Sequence, residues 1–118
     1  YYANFYGSIY NSKVILINPA IPPLKGFEDY LGENENYSTC EKFIVTKEDI
    51  KFLRTLVPKK SNNQNNILIL LESGDEVLNY IKTLSYFKGC HADIIFGGSH
   101  SYESLDNKLE KIRSFLEF

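Results

Sequence analysis

The sequence contains no methionine and no tryptophan in 118 residues. Reading frames open on methionine, so Tyr1 is expected to lie inside a longer chain. An excess of basic charge is missing too. Thirteen Lys and Arg stand against 15 Asp and Glu, a net charge of −2. Nucleic acid and anionic membranes attract the opposite sign, so neither is an expected partner. No apolar run approaches the ~20 residues of a bilayer span. The longest, Val14–Ile17 and Ile67–Leu71, are strand-sized, and Tyr1–Tyr10 lacks the basic opening of a signal peptide. Only two cysteines occur, Cys40 and Cys90, without metal-type spacing. Two free thiols in a reducing, cytoplasmic setting are the plain reading. What is present is a chain 43% hydrophobic, with nine Tyr and eight Phe. That excludes bulk disorder, and the length implies one domain or part of one. Without a basic groove, the aromatic residues read as core and pocket lining.

The apolar spacing orders the chain. Tyr2, Phe5, Tyr6 and Ile9 form a helical stripe. Lys13–Asn18 reads as a strand buried on both faces, ended by Pro19, Pro22 and Pro23. Phe27–Leu31 has room for a helical turn or two, Gly32–Thr39 is polar and turn-rich, and Phe43–Val45 is briefly apolar. Thr46 and Asp49 make a capping box for a helix with Ile50, Leu53, Leu56 and Val57 on its apolar face, stopped by Pro58. A polar loop, Lys59–Asn66, leads to a second buried strand, Ile67–Leu71. Val77, Leu78, Ile81, Leu84 and Phe87 suggest a helix ended near Gly89. A third strand spans Ala92–Phe96, and Leu105, Leu109, Ile112 and Leu116 mark a last helix. Strands alternating with helices imply an α/β fold with three parallel strands flanked by helices. Three strands are few for such a sheet and leave an open edge. The expected domain is therefore the C-terminal part of a larger α/β domain spanning residues 1–118.

In open parallel sheets, sites form beyond the carboxyl ends of the strands. Asn18-Pro19-Ala20, Glu72-Ser73-Gly74-Asp75-Glu76 and Gly97-Gly98-Ser99-His100 fall there. Asp75 and His100 thus meet at the same end of neighbouring strands, where a carboxylate can orient an imidazole and stabilise its cation. This is the acid-then-base order of an α/β-hydrolase triad. Asp75 can also be read as a helix cap, and His100 as a surface-loop residue. Glu76 is an alternative acid, or a first-turn charge favouring the helix dipole. His91 lies at the opposite strand end, and its adjacency to Cys90 is not a catalytic geometry. His91, Asp93 and His100 are too few and too scattered for a metal site, and Gly97-Gly98 lacks the dinucleotide pattern. No metal or cofactor is expected. Ser73, Ser99 and Ser101 do not stand on a strained strand-to-helix elbow, so no nucleophile is assigned within the chain.

The runs Ile17-Asn18-Pro19-Ala20-Ile21-Pro22-Pro23 and Asp29-Tyr30-Leu31-Gly32-Glu33-Asn34-Glu35-Asn36-Tyr37 resemble the YqiA/YcfP-type bacterial esterases. So do Gly74-Asp75-Glu76-Val77-Leu78-Asn79-Tyr80 and Gly97-Gly98-Ser99-His100-Ser101-Tyr102. The resemblance covers nearly the whole chain. It implies an α/β-hydrolase with a Ser–Asp–His triad, of which Asp75 is the acid and His100 the base. It also implies that Tyr1-Tyr2-Ala3 continue the helix behind a nucleophile elbow that is not in this sequence. Ser99 stands where that family often has Asn.

The implied substrate is a small carboxylic ester or acyl thioester. Residues 24–57 fall where hydrolases insert caps. Asn18, Phe27, Tyr30 and Leu31, with Leu53, are the candidates for substrate contact; packing against the sheet is the other reading of the apolar ones. The chain alone is expected to be inactive, and its open strand edge to favour self-association. Two further readings remain. One is a non-catalytic hydrolase-like binding or regulatory module. The other, a response-regulator-like or nucleotide-binding domain, lacks the acids after its first strand or the phosphate loop it would need.

Overall fold

A computed structural model describes residues 1–58 and 63–118. The predicted polar loop Lys59–Asn66 therefore falls partly outside the described residues, from 59 to 62. The described chain divides into two compact units, residues 1–21 with 58–118, and Pro22–Val57.

The first unit is built on a parallel sheet of β1 (Val14–Ile17), β4 (Ile67–Glu72) and β5 (His91–Ile95), in the order β1-β4-β5. Val14 aligns with Ile67 across the first pairing, and Leu68 with His91 across the second. The central strand reads ILILLE, and all six of its residues are buried. An uninterrupted apolar run is what a strand covered on both faces needs. Ile67, Ile69 and Leu71 join Val14, Leu16 and Phe87 on one face, with Tyr80 and Leu84 of helix α3 (Tyr80–Tyr86) packed against them. Leu68 and Leu70 face the other way, against Tyr102, Ile15, and Ile112 and Phe115 of helix α4 (Leu109–Leu116). Each fully buried Leu or Ile contributes about 1.5–3 kcal/mol of transfer free energy. The chain is thus α/β, with three parallel strands and helices on both faces.

Helix α1 (Tyr2–Tyr10) forms where its spacing predicts. A Cβ on Gly7 would overlap the Val14 side chain, so the helix backbone rests directly on β1. Its aromatic stripe points elsewhere: Tyr2, Tyr6 and Ile9 stay about half exposed, Tyr10 more so. Beyond β1 no further strand pairs among the described residues.

Some elements differ from the sequence expectation in detail. Val77 and Leu78 belong to the turn before α3, because the Asn79 side chain accepts the Lys82 N–H and starts the helix there. The last helix is preceded by a separate 3-10 turn, Leu105–Lys108, and both Leu105 and Leu109 are exposed.

In the second unit, β2 (Gly32–Glu35) and β3 (Lys42–Val45) form an antiparallel hairpin that the sequence did not announce. Gly-Glu-Asn-Glu carries no apolar alternation, so pairing with Lys-Phe-Ile-Val makes it a strand. Phe27–Tyr30 is a 3-10 turn. Helix α2 (Lys47–Thr55) starts on the anticipated capping box, in which Thr46 accepts the Asp49 N–H and Asp49 accepts the Thr46 N–H. The Arg54 guanidinium donates to the Pro23 and Leu24 carbonyls and pairs with Glu28, tying this helix to the start of its unit.

Candidate functional site

The three parallel strands end on one side, and the segments that follow them are joined there by hydrogen bonds. The turn after β4 is linked backbone to backbone with the segment after β5. Ser73 N–H donates to Ile95 O at 2.9 Å, and Gly74 N–H to Gly97 O at 2.8 Å. Gly97 N–H in turn donates to the Ser73 hydroxyl at 2.9 Å. Gly74 and Gly98 let these backbones touch, since a Cβ on Gly74 would overlap the Gly98 carbonyl oxygen.

This brings Asp75 to His100. Asp75 Oδ2 lies 2.9 Å from His100 Nδ1. The other oxygen, Oδ1, accepts the Val77 and Leu78 N–H groups at 2.9 and 2.8 Å. Asp75 therefore does two things at once: one oxygen closes the turn that leads to α3, and the other addresses the imidazole. Its side chain is 2% exposed, whereas that of His100 is 40% exposed. A carboxylate at Nδ1 holds the proton there and leaves the Nε2 lone pair free to accept one. Glu76 is not the imidazole's partner. Its Oε2 accepts the His100 backbone N–H at 3.0 Å. Two consecutive acids thus hold one histidine, one by its ring and one by its main chain.

Two further residues secure the same loop, and sequence reasoning gave neither this role. Glu72, fully buried at the end of β4, accepts Ser99 N–H at 2.8 Å, Glu103 N–H at 3.1 Å and Ser104 N–H at 2.9 Å. Burial raises its pKa, but the hydrogen bonds from Ser104, Ser99 and Glu103 outweigh that and hold it below the usual carboxylate range. The available signal was an acid closing an otherwise apolar strand run. Asn18, after β1, donates from Nδ2 to the Ser99 and His100 carbonyls at 2.9 and 3.1 Å and accepts the Glu72 N–H at 3.0 Å. It is 5% exposed and sits at a φ of 39°, which Asn tolerates better than most residues.

The other candidates are distributed differently. Phe27, Tyr30, Leu31 and Leu53 belong to the second unit, where the Phe27 and Tyr30 rings meet edge to face at 6.0 Å and Tyr30 and Leu31 are exposed. Ser73 and Ser99 are engaged in the loop bonds above. His91 lies at the opening of β5 with its ring against Phe115. Cys90 is partly buried, which pushes its thiol pKa up. The Asp93 carboxylate is taken by Lys108 and Lys111. Among the described residues, no group of three or more His, Cys, Asp or Glu is placed to hold a metal.

Tyr102 is 4% exposed, and its hydroxyl has no hydrogen-bond partner among the described residues. Burial first, then the nearby Asp93 and Glu72 charges, push its pKa up to about 12. Deleting an unpaired buried hydroxyl removes a desolvation cost without removing a bond. Tyr102→Phe is therefore expected to match or exceed the parent in thermal stability. The gain should grow above about pH 10, where the unfolded tyrosine ionises and the folded one does not. A lower unfolding midpoint for the variant would contradict this.

A family model described as "Uncharacterised protein family (UPF0227)" matches residues 1–117. Among solved structures, a crystal structure described as "Putative hydrolase from Agrobacterium vitis S4" is similar, with a TM-score of 0.60 and 19% sequence identity. The match covers 89% of this chain and 49% of that one, so the chain spans about half the length of that protein. At this identity the likeness is one of fold. No described helix is long and apolar enough to cross a membrane.

Proposed function

The chain belongs to the uncharacterised protein family UPF0227, the YqiA/YcfP-type family that its motifs resemble, and from that membership we propose a serine hydrolase acting on small carboxylic esters or acyl thioesters. The observation that carries the reading is the 2.9 Å contact between Asp75 and His100 at the ends of adjacent parallel strands. The solved structure of similar fold, whose description reads "Putative hydrolase", is consistent with it.

In the full-length protein, a serine outside these residues attacks the acyl carbon while His100 Nε2 takes its proton. The imidazolium, stabilised by Asp75, then protonates the departing alcohol or thiol. Water, deprotonated by the same nitrogen, attacks the acyl-enzyme and releases the acid and the free serine. Two backbone N–H groups at the oxyanion are worth roughly 3 kcal/mol each in such enzymes. The nucleophile and those donors would come with further strands pairing at the open edge of β1. Residues 24–57 are the candidate cap segment of such an enzyme, and Phe27, Tyr30 and Leu31 its candidate substrate contacts. The two free thiols, Cys40 and Cys90, support a reducing, cytoplasmic location.

The full-length protein is expected to hydrolyse p-nitrophenyl esters and to be labelled at one serine by a fluorophosphonate. The 118-residue chain alone is expected to do neither. Absence of both activities in the full-length protein would overturn the reading in favour of a non-catalytic module. Inhibitor-sensitive turnover by the 118 residues would overturn the placement of the nucleophile outside them.

A further inference from the structure

Building on the hydrolase reading, we propose that Glu72 and Asn18 are positioning residues: they hold the His100 loop by its backbone and so keep the imidazole on Asp75, although neither contacts the ring.

A central strand of the sequence ILILLE has no packing reason to end on a carboxylate. Leu or Ile would continue its fully buried run. The reason lies in what the carboxylate binds. Its two oxygens accept three N–H groups, from Ser99, Glu103 and Ser104, on either side of His100. The loop is shaped around it: Gly98, at a φ of 71°, leaves the space in which the carboxylate sits. Asn18 grips the same loop through its carbonyls. Both amide hydrogens go to Ser99 and His100, and its oxygen takes the N–H of Glu72 itself. Asn18 thereby links the end of β1, the end of β4 and the loop after β5. Donors of the loop meet a buried anion, acceptors of the loop meet a buried amide, and Glu76 takes the remaining His100 N–H. The chain on both sides of the imidazole is held by groups that are themselves buried in the sheet.

Glu72→Gln tests this with little change of shape. The amide oxygen can serve one side of the loop, but its NH2 then faces an N–H donor on the other. Asn18→Asp keeps the acceptor and the tolerance of positive φ, and turns a carboxylate oxygen toward two carbonyls. In the full-length protein, each variant is expected to lower kcat for a p-nitrophenyl ester by about 10–100-fold with KM within about twofold, the scale of a small misplacement of a catalytic group. Each should also weaken or abolish the far-downfield proton NMR resonance of His100 Nδ1–H bonded to Asp75. Variants that melt lower but keep the parent kcat and resonance while folded would show a purely structural role and overturn the proposal. Should Glu72→Gln fail to fold, Asn18→Asp decides. If the unmodified protein hydrolyses no ester, the hydrolase reading falls, and the resonance still decides whether the loop is held in this way.

Discussion

Asp75→Asn is expected to lower kcat of the full-length protein for an activated ester by about 10⁴-fold, with little change in KM. The structure makes this substitution unusually clean. Asp75 Oδ1 accepts two N–H groups, from Val77 and Leu78. In the variant those two donors still require an oxygen, so the amide is held in one orientation and its NH2 must face His100 Nδ1. That nitrogen then serves as an acceptor, the proton moves to Nε2, and the imidazole can no longer take a proton from serine. The turn keeps both bonds, so the unfolding midpoint should stay close to that of the parent. Steady-state kinetics with a thermal melt checks both halves. Activity within tenfold of the parent would remove Asp75 from the role of acid. Asp75→Ala is the poorer experiment, because it also deletes the turn bonds and mixes folding with chemistry.

The second large effect lies in the paired glycines of the His100 loop. Gly97→Ala and Gly98→Ala place the same methyl group at successive left-handed positions, φ 105° and 71°. Conformational strain alone costs about 1–2 kcal/mol at such a site. At Gly97 nothing lies within 4 Å of the added carbon, so strain is the whole cost. At Gly98 the new carbon overlaps the Glu72 carboxylate. That carboxylate is fully buried and bound to three N–H groups, so it cannot swing aside without breaking them. Each such bond lost to the buried carboxylate costs a further ~1–3 kcal/mol. With even one of those bonds lost, Gly98→Ala is expected to lose roughly 2–5 kcal/mol in total, against about 1–2 for Gly97→Ala. Chemical denaturation of the two variants measures the gap. Equal losses would mean that the loop adjusts without disturbing Glu72.

Much of this architecture is legible without coordinates, for reasons that differ by element. The strand Ile67–Leu71 is recognisable because burial on both faces leaves no polar alternative at any position. The start of α2 is recognisable because a capping box is a local device, complete within Thr46–Asp49. The hairpin β2–β3 is not, because Gly32–Glu35 has no strand pattern of its own and is made a strand by its partner. Helix α1 shows the reverse limit. Its stripe of Tyr2, Tyr6 and Ile9 announces a helix correctly, yet the face that meets the sheet is the one carrying Gly7, where the absence of a side chain permits contact.

The same division runs through the site. Sequence alone determined the alternation of strands and helices, and with it the placing of Asp75 and His100 at the same end of the sheet, since parallel crossovers put the loops after both strands on one side; the sheet order makes those strands neighbours. Tertiary structure decided which acid meets the ring. Sequence favoured Asp75 and kept Glu76 as the alternative, and the path of the loop after β5 turns the first toward Nδ1 and the second toward the main-chain N–H. It also decided the use of Glu72 and Asn18. Their partners are backbone groups 27 to 32 residues away for the Glu72 carboxylate and 54 to 82 for the Asn18 amide. Backbone groups carry no residue signature, so a side chain that binds them becomes intelligible only when the chain has folded around it.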